Sequence, residues 1–475
     1  MKGDPAPSRS ILEIRELARS GDLRGGAEAA RAALRSLESG ADISGYVELH
    51  LIAAFCAMRQ GHHPEALREL DAAEHAAASA AEPGVALRVA SWRAELAYFQ
   101  GRYSEAEDIV DRLVDPLERA GDWAYAAFAL CIRIAVLLAH TDYAGAAALA
   151  DRAIRLAETS GDDYVMVQIL NILGAVSFDR ATSKLEGPHA RAHLSALDPR
   201  DTAPMETDAR EALALFERAR AVAERANYEF AAWYVAGNIE RLEILLGNAA
   251  HAVRMIRKRL AILQARGANY DEIVTRSNLA WGLRTLGRHG EALNELDAAL
   301  NQARATGTFN VLLEFLEYDR SIVLDALGDT SGARASHRRY LQLVSAWNRS
   351  VPVAPEGARP IAVKRPLEPF FLKRADRYIL EHLGESITVI RLAEHCEVSS
   401  RTLQKAFAES RGITAVAHVR NLRLDRARDN LQTSDASVAA IAARCGFRSS
   451  TTFAIEYRKR FGVAPSRAKR AAGSA

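Results

Sequence analysis

Two stretches near the C-terminus place similar residue types in the same order. Leu392-Ala393-Glu394-His395-Cys396-Glu397-Val398-Ser399 aligns with Ile441-Ala442-Ala443-Arg444-Cys445-Gly446-Phe447-Arg448 at an offset of 49 residues. The offset then becomes 50, and Leu403, Phe407 and Gly412 pair with Phe453, Tyr457 and Gly462. Each copy reads as a short apolar helix, a tight turn, and a second helix opened by serines and rich in polar side chains. Ser399 and Ser449 are natural N-caps for these second helices. The helix ends they open carry free N–H groups and the positive end of a dipole, which suits the docking of phosphate. Two helices joined in this way are the helix-turn-helix signature.

The turn itself makes a demand on the backbone. Its central residue prefers a positive φ, which Gly446 supplies freely and Glu397, its counterpart, is expected to supply at some strain. Ala393 and Ala442 let the paired helices cross closely, and Val398 and Phe447 close a small core behind the turn. Ile390, Leu392, Leu403, Phe407, Phe453, Tyr457 and Phe461 are expected in the core. Other chemistries find no matching pattern. Cys56, Cys131, Cys396 and Cys445 are far apart with no CxxC pair, and they read as reduced, buried thiols. His189 and His193 stand four apart and His62 adjoins His63, but no carboxylate or cysteine pattern makes either pair a metal site. No phosphate-binding glycine loop, metal-ligand spacing or nucleophile elbow is present, so neither an enzyme nor a cofactor is expected.

Charge separates this region from the rest. The formal total is +2, yet residues 367–475 hold 19 Lys+Arg against 11 Asp+Glu, a balance of +8, which leaves −6 for the remainder. A basic tail on an acidic body points to a polyanionic partner for the tail. A chain of 475 residues, 49% hydrophobic and 26% charged, is expected to fold as at least two soluble domains, and its Ala, Leu, Arg and Glu content favours helix. The N-terminus carries no signal-peptide core, and the most apolar stretch, 123–139, holds Arg133 and falls short of a bilayer span, so a cytoplasmic protein without a membrane partner is expected.

The first 345 or so residues repeat. QGHHPEAL (60–67), QGRYSEAE (100–107), HTDYAGAA (140–147), LGNAAHAV (246–253), LGRHGEAL (286–293) and LGDTSGAR (327–334) align without gaps. Each ends one helix, turns at glycine or a small polar residue, and starts another, with an alanine five residues past the turn: Ala66, Ala106, Ala146, Ala252, Ala292 and Ala333. The spacings are 40, 40, 106, 40 and 41. The long one accommodates a degraded unit around Ala212 and an insertion, about 179–207, whose Gly187, Pro188, Pro199 and Pro204 read as a surface loop. One hairpin cannot bury its apolar face alone, so six to eight hairpins should stack into a solenoid similar to elongated tetratricopeptide repeats. Four prolines between 348 and 366 make a semi-rigid linker. The expected organisation is all-α: a helical-repeat domain at 1–347, the linker at 348–366, and a two-motif helix-turn-helix domain at 367–475.

The second copy, Ile441-Ala442-x-x-Cys445-Gly446-Phe447-x-Ser449-x-x-x-Phe453 followed by Tyr457-Arg458-Lys459-Arg460-Phe461-Gly462-Val463-Ala464-Pro465, resembles the AraC/XylS family of bacterial regulators. The connecting Arg423-Leu424-Asp425-Arg426-Ala427-Arg428 resembles that family's linking helix, and the resemblance covers about 100 residues. It implies a DNA-binding transcription regulator, with base-reading positions at Arg401, Gln404 and Lys405 in the first motif and at Ser450, Thr451 and Ile455 in the second. Arg448 falls at the second helix entry, and Ser399, Ser400, Arg444, Ser449, Thr452 and the run Arg458-Lys459-Arg460 fall at DNA-contacting, largely phosphate-facing positions. Arginine and lysine suit guanine and glutamine suits adenine, whereas Ile455, where the family often has arginine, can only meet a thymine methyl or make no base contact. With both motifs in one chain, the implied partner is double-stranded DNA with an asymmetric site of two adjacent major-groove segments.

A tetratricopeptide-like body before such a domain resembles a subgroup of activators of type III secretion genes in plant-associated bacteria, which implies RNA polymerase as a further partner. The stacked hairpins leave a concave face open to a protein or small-molecule effector. A different class, a helical-repeat scaffold whose basic tail binds nucleic acid nonspecifically, also fits the charge pattern.

Overall fold

The computed structural model describes residues 10–37, 42–80, 82–186, 206–306, 310–350, 369–433 and 436–472. All regular structure among the described residues is helical. Contacts divide the chain into two units, Met1–Lys364 and Arg365–Ala475.

The first unit is built from hairpins. They are α1 (Ile11–Arg19) with α2 (Leu23–Ser36), and α3 (Ile43–Gln60) with α4 (His63–Ala77). α5 (Pro83–Phe99) follows with α6 (Tyr103–Val110) and its continuation α7 (Val114–Arg119), then α8 (Trp123–Ala139) with α9 (Tyr143–Ala148) and α10 (Ala150–Ser160). After α11 (Asp163–Glu186) and α12 (Glu206–Arg225) come α13 (Glu229–Leu245) with α14 (Ala249–Arg266), α15 (Asn269–Thr285) with α16 (His289–Thr306), and α17 (Asn310–Ala326) with α18 (Thr330–Ser350).

The repeated residues have the expected physical roles. At the six repeat turns φ is positive, at five glycines and at Thr141, whose φ is 60°. The six alanines five residues further on, and Ala212, are fully buried. A Cβ and nothing larger fits where the two helices meet. Gly21 lies 40 residues before Gly61, has φ +97°, and opens a hairpin that the six aligned segments do not include. Gly26 stands in the alanine position of this unit, where an added Cβ would lie 3.0 Å from the Ala18 Cβ.

Two expected boundaries shift. Residues 179–186, read as the start of a surface loop, belong to α11, and Ala181 and Thr182 are buried. The chain keeps its helix until the first helix-breaking pair, Gly187-Pro188, because those residues still have a partner helix to bury against. His189, His193, Pro199 and Pro204 lie outside the described residues. So does most of the expected linker, although α18 runs to Ser350, past its expected end at 347.

The repeats bend far enough for the first hairpins to meet later ones. Ile14, Leu23, Leu49 and Cys56 share a core with Phe230, Leu263 and Ala268. Across 212 residues of sequence, Arg59 donates to Asp271 at 3.3 Å. Among the described residues no helix is long and apolar enough to cross a membrane. His62 is exposed and lies 3.5 Å from Glu65, while His63 is buried and pushed down to about 4 by desolvation.

The second unit comprises α19 (Phe370–Glu381), α20 (Val389–His395), α21 (Ser400–Arg411), α22 (Ala415–Thr433), α23 (Val438–Arg444), α24 (Ser450–Phe461) and α25 (Pro465–Ala472). Leu392, Leu403, Phe407, Phe453 and Tyr457 are buried as expected. Ile390 is 63% exposed: it sits in the first turn of α20 while Leu392 and Ala393 take the inward positions. Phe461 is half-buried.

Candidate nucleic-acid interface

The duplication in the sequence is a duplication in hydrogen bonding. Thr388 and Ser437 cap α20 and α23 by accepting from Arg391 N and Ala440 N, each at 3.2 Å. Each turn closes with two backbone bonds: Glu397 N to Glu394 O and Val398 N to Ala393 O in the first motif, Gly446 N to Ala443 O and Phe447 N to Ala442 O in the second. Ser399 then accepts from Thr402 N at 3.0 Å and Ser449 from Thr452 N at 3.3 Å, opening α21 and α24 as helices of equal length. The central turn residues hold φ +78° at Gly446 and +53° at Glu397. Glu397 adopts this left-handed conformation without the freedom of glycine. Its carboxylate accepts from Arg374 at 3.2 Å.

Burial sorts the side chains of α21 and α24 into an inner and an outer face. On α21, Leu403, Ala406 and Phe407 face inward while Arg401, Thr402, Gln404 and Lys405 are exposed. Lys405 reaches Glu409 at 3.7 Å, both exposed, an ion pair of little energetic weight. Ser400 is half-buried. On α24, Phe453 and Tyr457 are inward and Ser450, Thr451, Thr452, Ile455 and Arg458 are exposed. Ile455 is 63% exposed, an aliphatic side chain set among hydroxyls and cations. Arg444, Arg448, Ser399 and Ser449 are also exposed. Arg460 differs from its neighbours Arg458 and Lys459: it pairs with Asp425 of α22 at 2.7 Å and lies 5.5 Å from the Phe461 ring centroid, so its reach is taken up in holding α24 to α22.

Two positioning clusters join residues whose pairing the sequence motifs do not indicate. In the first, Asp376 on α19 accepts from both Arg411 nitrogens at 2.7 Å and lies 2.8 Å from His418 Nε2, joining α19, the end of α21 and the start of α22. Burial pushes the Asp376 carboxyl up, but the hydrogen bonds from His418 and Arg411 outweigh it and hold the group below the usual aspartate range. In the second, Arg423 of α22 donates to the carbonyls of Leu383 and Glu385, 3.0 and 2.5 Å away. The Arg423 guanidinium also lies against Gly446, where an added Cβ would be 2.8 Å from it and 2.3 Å from the Leu383 carbonyl oxygen. Gly384 approaches the Arg444 carbonyl in the same way. The loop after α19 is therefore pressed onto the turn of the second motif, and the two motifs are held at a fixed relation. Spacing of arginines along α22 was the only signal for this in the sequence.

The arrangement presents two capped helices, each with hydroxyls and open N–H groups at its start and donors along one face. Such a surface can bind phosphates and meet base edges.

Residues 392–471 match the helix-turn-helix domain family. The regulatory protein HrpB of Ralstonia nicotianae is 29% identical over 185 residues, which cover 36% of this chain and 38% of HrpB. The HTH-type transcriptional activator RhaS of Salmonella schwarzengrund is 32% identical over 146 residues, covering 30% of this chain and 49% of RhaS. The chain thus spans less than half the length of these curated relatives. The crystal structure of the DNA-binding domain of AdpA, a global transcriptional factor, in complex with a target DNA is 33% identical over 21% of this chain and 90% of that one, with a TM-score of 0.21.

Proposed function

Because residues 392–471 form a helix-turn-helix domain of the AraC type, we propose that this chain is a DNA-binding transcription activator that reads an asymmetric promoter site through two motifs in one polypeptide. The observation that carries this reading is the pair of motifs with the same turn bonds and the same serine caps, locked together through Arg423. A pair fixed in this way suits two major-groove segments about one turn, ~34 Å, apart. In this reading Arg401, Gln404 and Lys405 contact base edges in one segment and Ser450, Thr451 and Ile455 in the other. Arg448 lies at the entry of the second recognition helix and Ser400 at the start of the first, and Ser399, Arg444, Ser449, Thr452 and Arg458 hold the backbone.

The protein would act in the cytoplasm, with RNA polymerase as its further partner and without catalysis of its own. We extend the proposal to control of type III secretion genes. Its support is the joining of helical repeats to this domain and the similarity to HrpB, whose 185 matched residues exceed the length of the unit Arg365–Ala475 and so reach beyond it.

Mapping of bound sites across the source genome, followed by gel shifts on recovered and scrambled sequences at physiological salt, tests the reading. A preference of about 10³-fold or more for the recovered sequence is expected of a specific regulator. Equal affinity for both would favour a scaffold with a nonspecific basic tail.

A further inference from the structure

The first unit contains a cavity of about 250 Å³ among α1, α3, α5, α8 and α11. Five aromatic side chains line it: Phe55, Trp92, Tyr125, Phe128 and Tyr164. The Trp92 and Phe128 ring centroids are 4.9 Å apart, and Phe55 meets both Trp92 and Tyr164 edge to face. An apolar cavity of about 150 Å³ is enough to hold benzene, so this one admits a single ring and a few further atoms.

The charges of the lining decide what kind of ring. All six charged side chains are matched in pairs: Arg15 with Glu48 at 2.8 Å, Arg19 with Asp162 at 3.0 Å, and Arg88 with Asp122 at 2.6 Å. An anion entering the cavity would have to break one of these pairs, and so would a cation. Breaking a pair removed from water leaves its other member uncompensated. Two of the rings also have a cation of their own, since Arg19 lies 4.6 Å from the Tyr164 centroid and Arg88 lies 5.6 Å from that of Tyr125. The wall therefore penalises net charge of either sign.

One donor of the wall is uncommitted. The Tyr125 hydroxyl accepts from Trp92 Nε1 at 3.3 Å, and its own proton meets no acceptor among the described residues. A phenol held among rings gains from an acceptor brought to it, because a buried donor left unanswered is costly.

We propose that this cavity binds an uncharged aromatic molecule, one ring with a short side group that carries an oxygen acceptor, as in an aryl ketone. The ring packs among Phe55, Trp92 and Phe128, and the oxygen accepts from the Tyr125 hydroxyl. Such a ligand would give the helical-repeat unit a sensing role, which does not depend on how the second unit reads DNA.

Calorimetric titration of the full chain with acetophenone, ethylbenzene, phenethylamine and 3-phenylpropionate tests the assignment. Acetophenone is expected to bind about tenfold or more tightly than either ion, which would have to break a pair. It should bind about threefold or more tightly than ethylbenzene, which has the ring but no acceptor. The double variant Trp92→Phe/Tyr125→Phe keeps an aromatic wall and removes both donors, so the preference for acetophenone over ethylbenzene should disappear while ethylbenzene still binds. Ala124→Phe places a ring in the cavity wall and should weaken acetophenone and ethylbenzene alike. Equal or tighter binding of either ion, an undiminished preference for acetophenone in the double variant, unchanged acetophenone affinity in Ala124→Phe, or no binding of acetophenone at millimolar concentration would overturn the proposal. None of these readouts involves DNA, so failure of the promoter-binding reading leaves the test intact.

Discussion

Arg423 and Leu383, forty residues apart in sequence, meet through an Nε–H to carbonyl hydrogen bond of 3.0 Å. The bond ties the helix between the two motifs to the loop that leads into the first of them. The same carbonyl stands against Gly446 in the turn of the second. A single oxygen thus marks the place where both motifs and their connector converge. The guanidinium is partly desolvated there, which lowers its affinity for a proton without threatening its charge near neutral pH.

Gly446→Ala should separate the two demands made on that glycine. Its φ is +78°, and a Cβ would fall 2.3 Å from the Leu383 oxygen. The left-handed backbone costs about 1–2 kcal/mol. Forced contact against a packed backbone adds about 1–3 kcal/mol. Gly462 is the internal control, since its φ is +75° and a Cβ there would meet nothing within 4 Å. Chemical denaturation of the two variants should therefore show Gly446→Ala the more destabilised, by about 1–3 kcal/mol. Equal losses would mean that close approach to Leu383 contributes nothing.

At Glu397 the opposite change is expected to help. Glycine at φ +53° removes about 1 kcal/mol of backbone strain. The ion pair to Arg374 that goes with the side chain is exposed on the glutamate side and contributes well under about 1 kcal/mol. Glu397→Gly should raise the melting temperature of the second unit, measured by circular dichroism on the full chain. A lower melting temperature would assign the Arg374 contact more weight than its exposure suggests.

What the sequence made legible was local. Ser399, Ser449, Gly446 and the alanine five residues past each repeat turn act within a few residues of themselves, so type and spacing were enough. Gly21 and Gly26 follow the same 40-residue spacing, but at Gly26 glycine replaces the alanine that marks the other units, which broke the pattern. The end of α11 was lost because helix continuation there depends on a partner helix, and nothing local in residues 179–186 marks it. The Asp376–Arg411–His418 and Arg423–Leu383 contacts join residues 35 to 42 apart, and only packing decides such partners. Ile390 shows the limit from the other side, an apolar residue left exposed because its neighbours took the inward positions.

Acid should loosen the first motif through Asp376. Its folded pKa lies below the ordinary aspartate value of about 3.9, because His418 and Arg411 favour the ionised form. The stabilisation is therefore complete above the unfolded value and is lost as pH falls from about 4 through the folded one. Unfolding free energy followed from about pH 6 to about pH 2.5 should show this acid limb, and Asp376→Asn should flatten it while costing about 1–3 kcal/mol near neutral pH. An unchanged acid limb in the variant would place the pH sensitivity elsewhere.

The first unit carries a pH dependence of opposite sign. Desolvation pushes the Glu95 carboxyl up to about 7 in the fold, despite the nearby Arg59 charge. The unfolded chain releases that proton near the ordinary value of about 4.3. Stability is then fully present below that value, falls as pH rises toward the folded pKa, and is level beyond it. Glu95→Gln should remove this decline, so that its advantage over the parent grows by roughly 2–3 kcal/mol between about pH 4.5 and about pH 8, each pH unit between the two pKa values costing the parent at most about 1.4 kcal/mol. A constant difference across that range would mean that the carboxylate is solvated in the fold.

Arg401 and Ile455 occupy exposed outer faces of α21 and α24 but offer a duplex different chemistry. Arginine can donate twice to guanine, and a good bidentate contact discriminates by about 1–3 kcal/mol. Isoleucine offers only apolar contact, so it can favour a thymine methyl and cannot reward a guanine. Arg401→Ala should therefore lose about 1–3 kcal/mol of binding on the preferred site, with the loss confined to substitutions in one half of it. Ile455→Ala should change affinity by less, and Ile455→Arg should tighten binding to sites carrying guanine at the facing position. Gel shifts on a panel of single-base substitutions read all three outcomes. Uniform weakening of Arg401→Ala across the panel would reassign that side chain to phosphate. A loss from Ile455→Ala as large as that from Arg401→Ala would place the second motif on an equal footing in specificity.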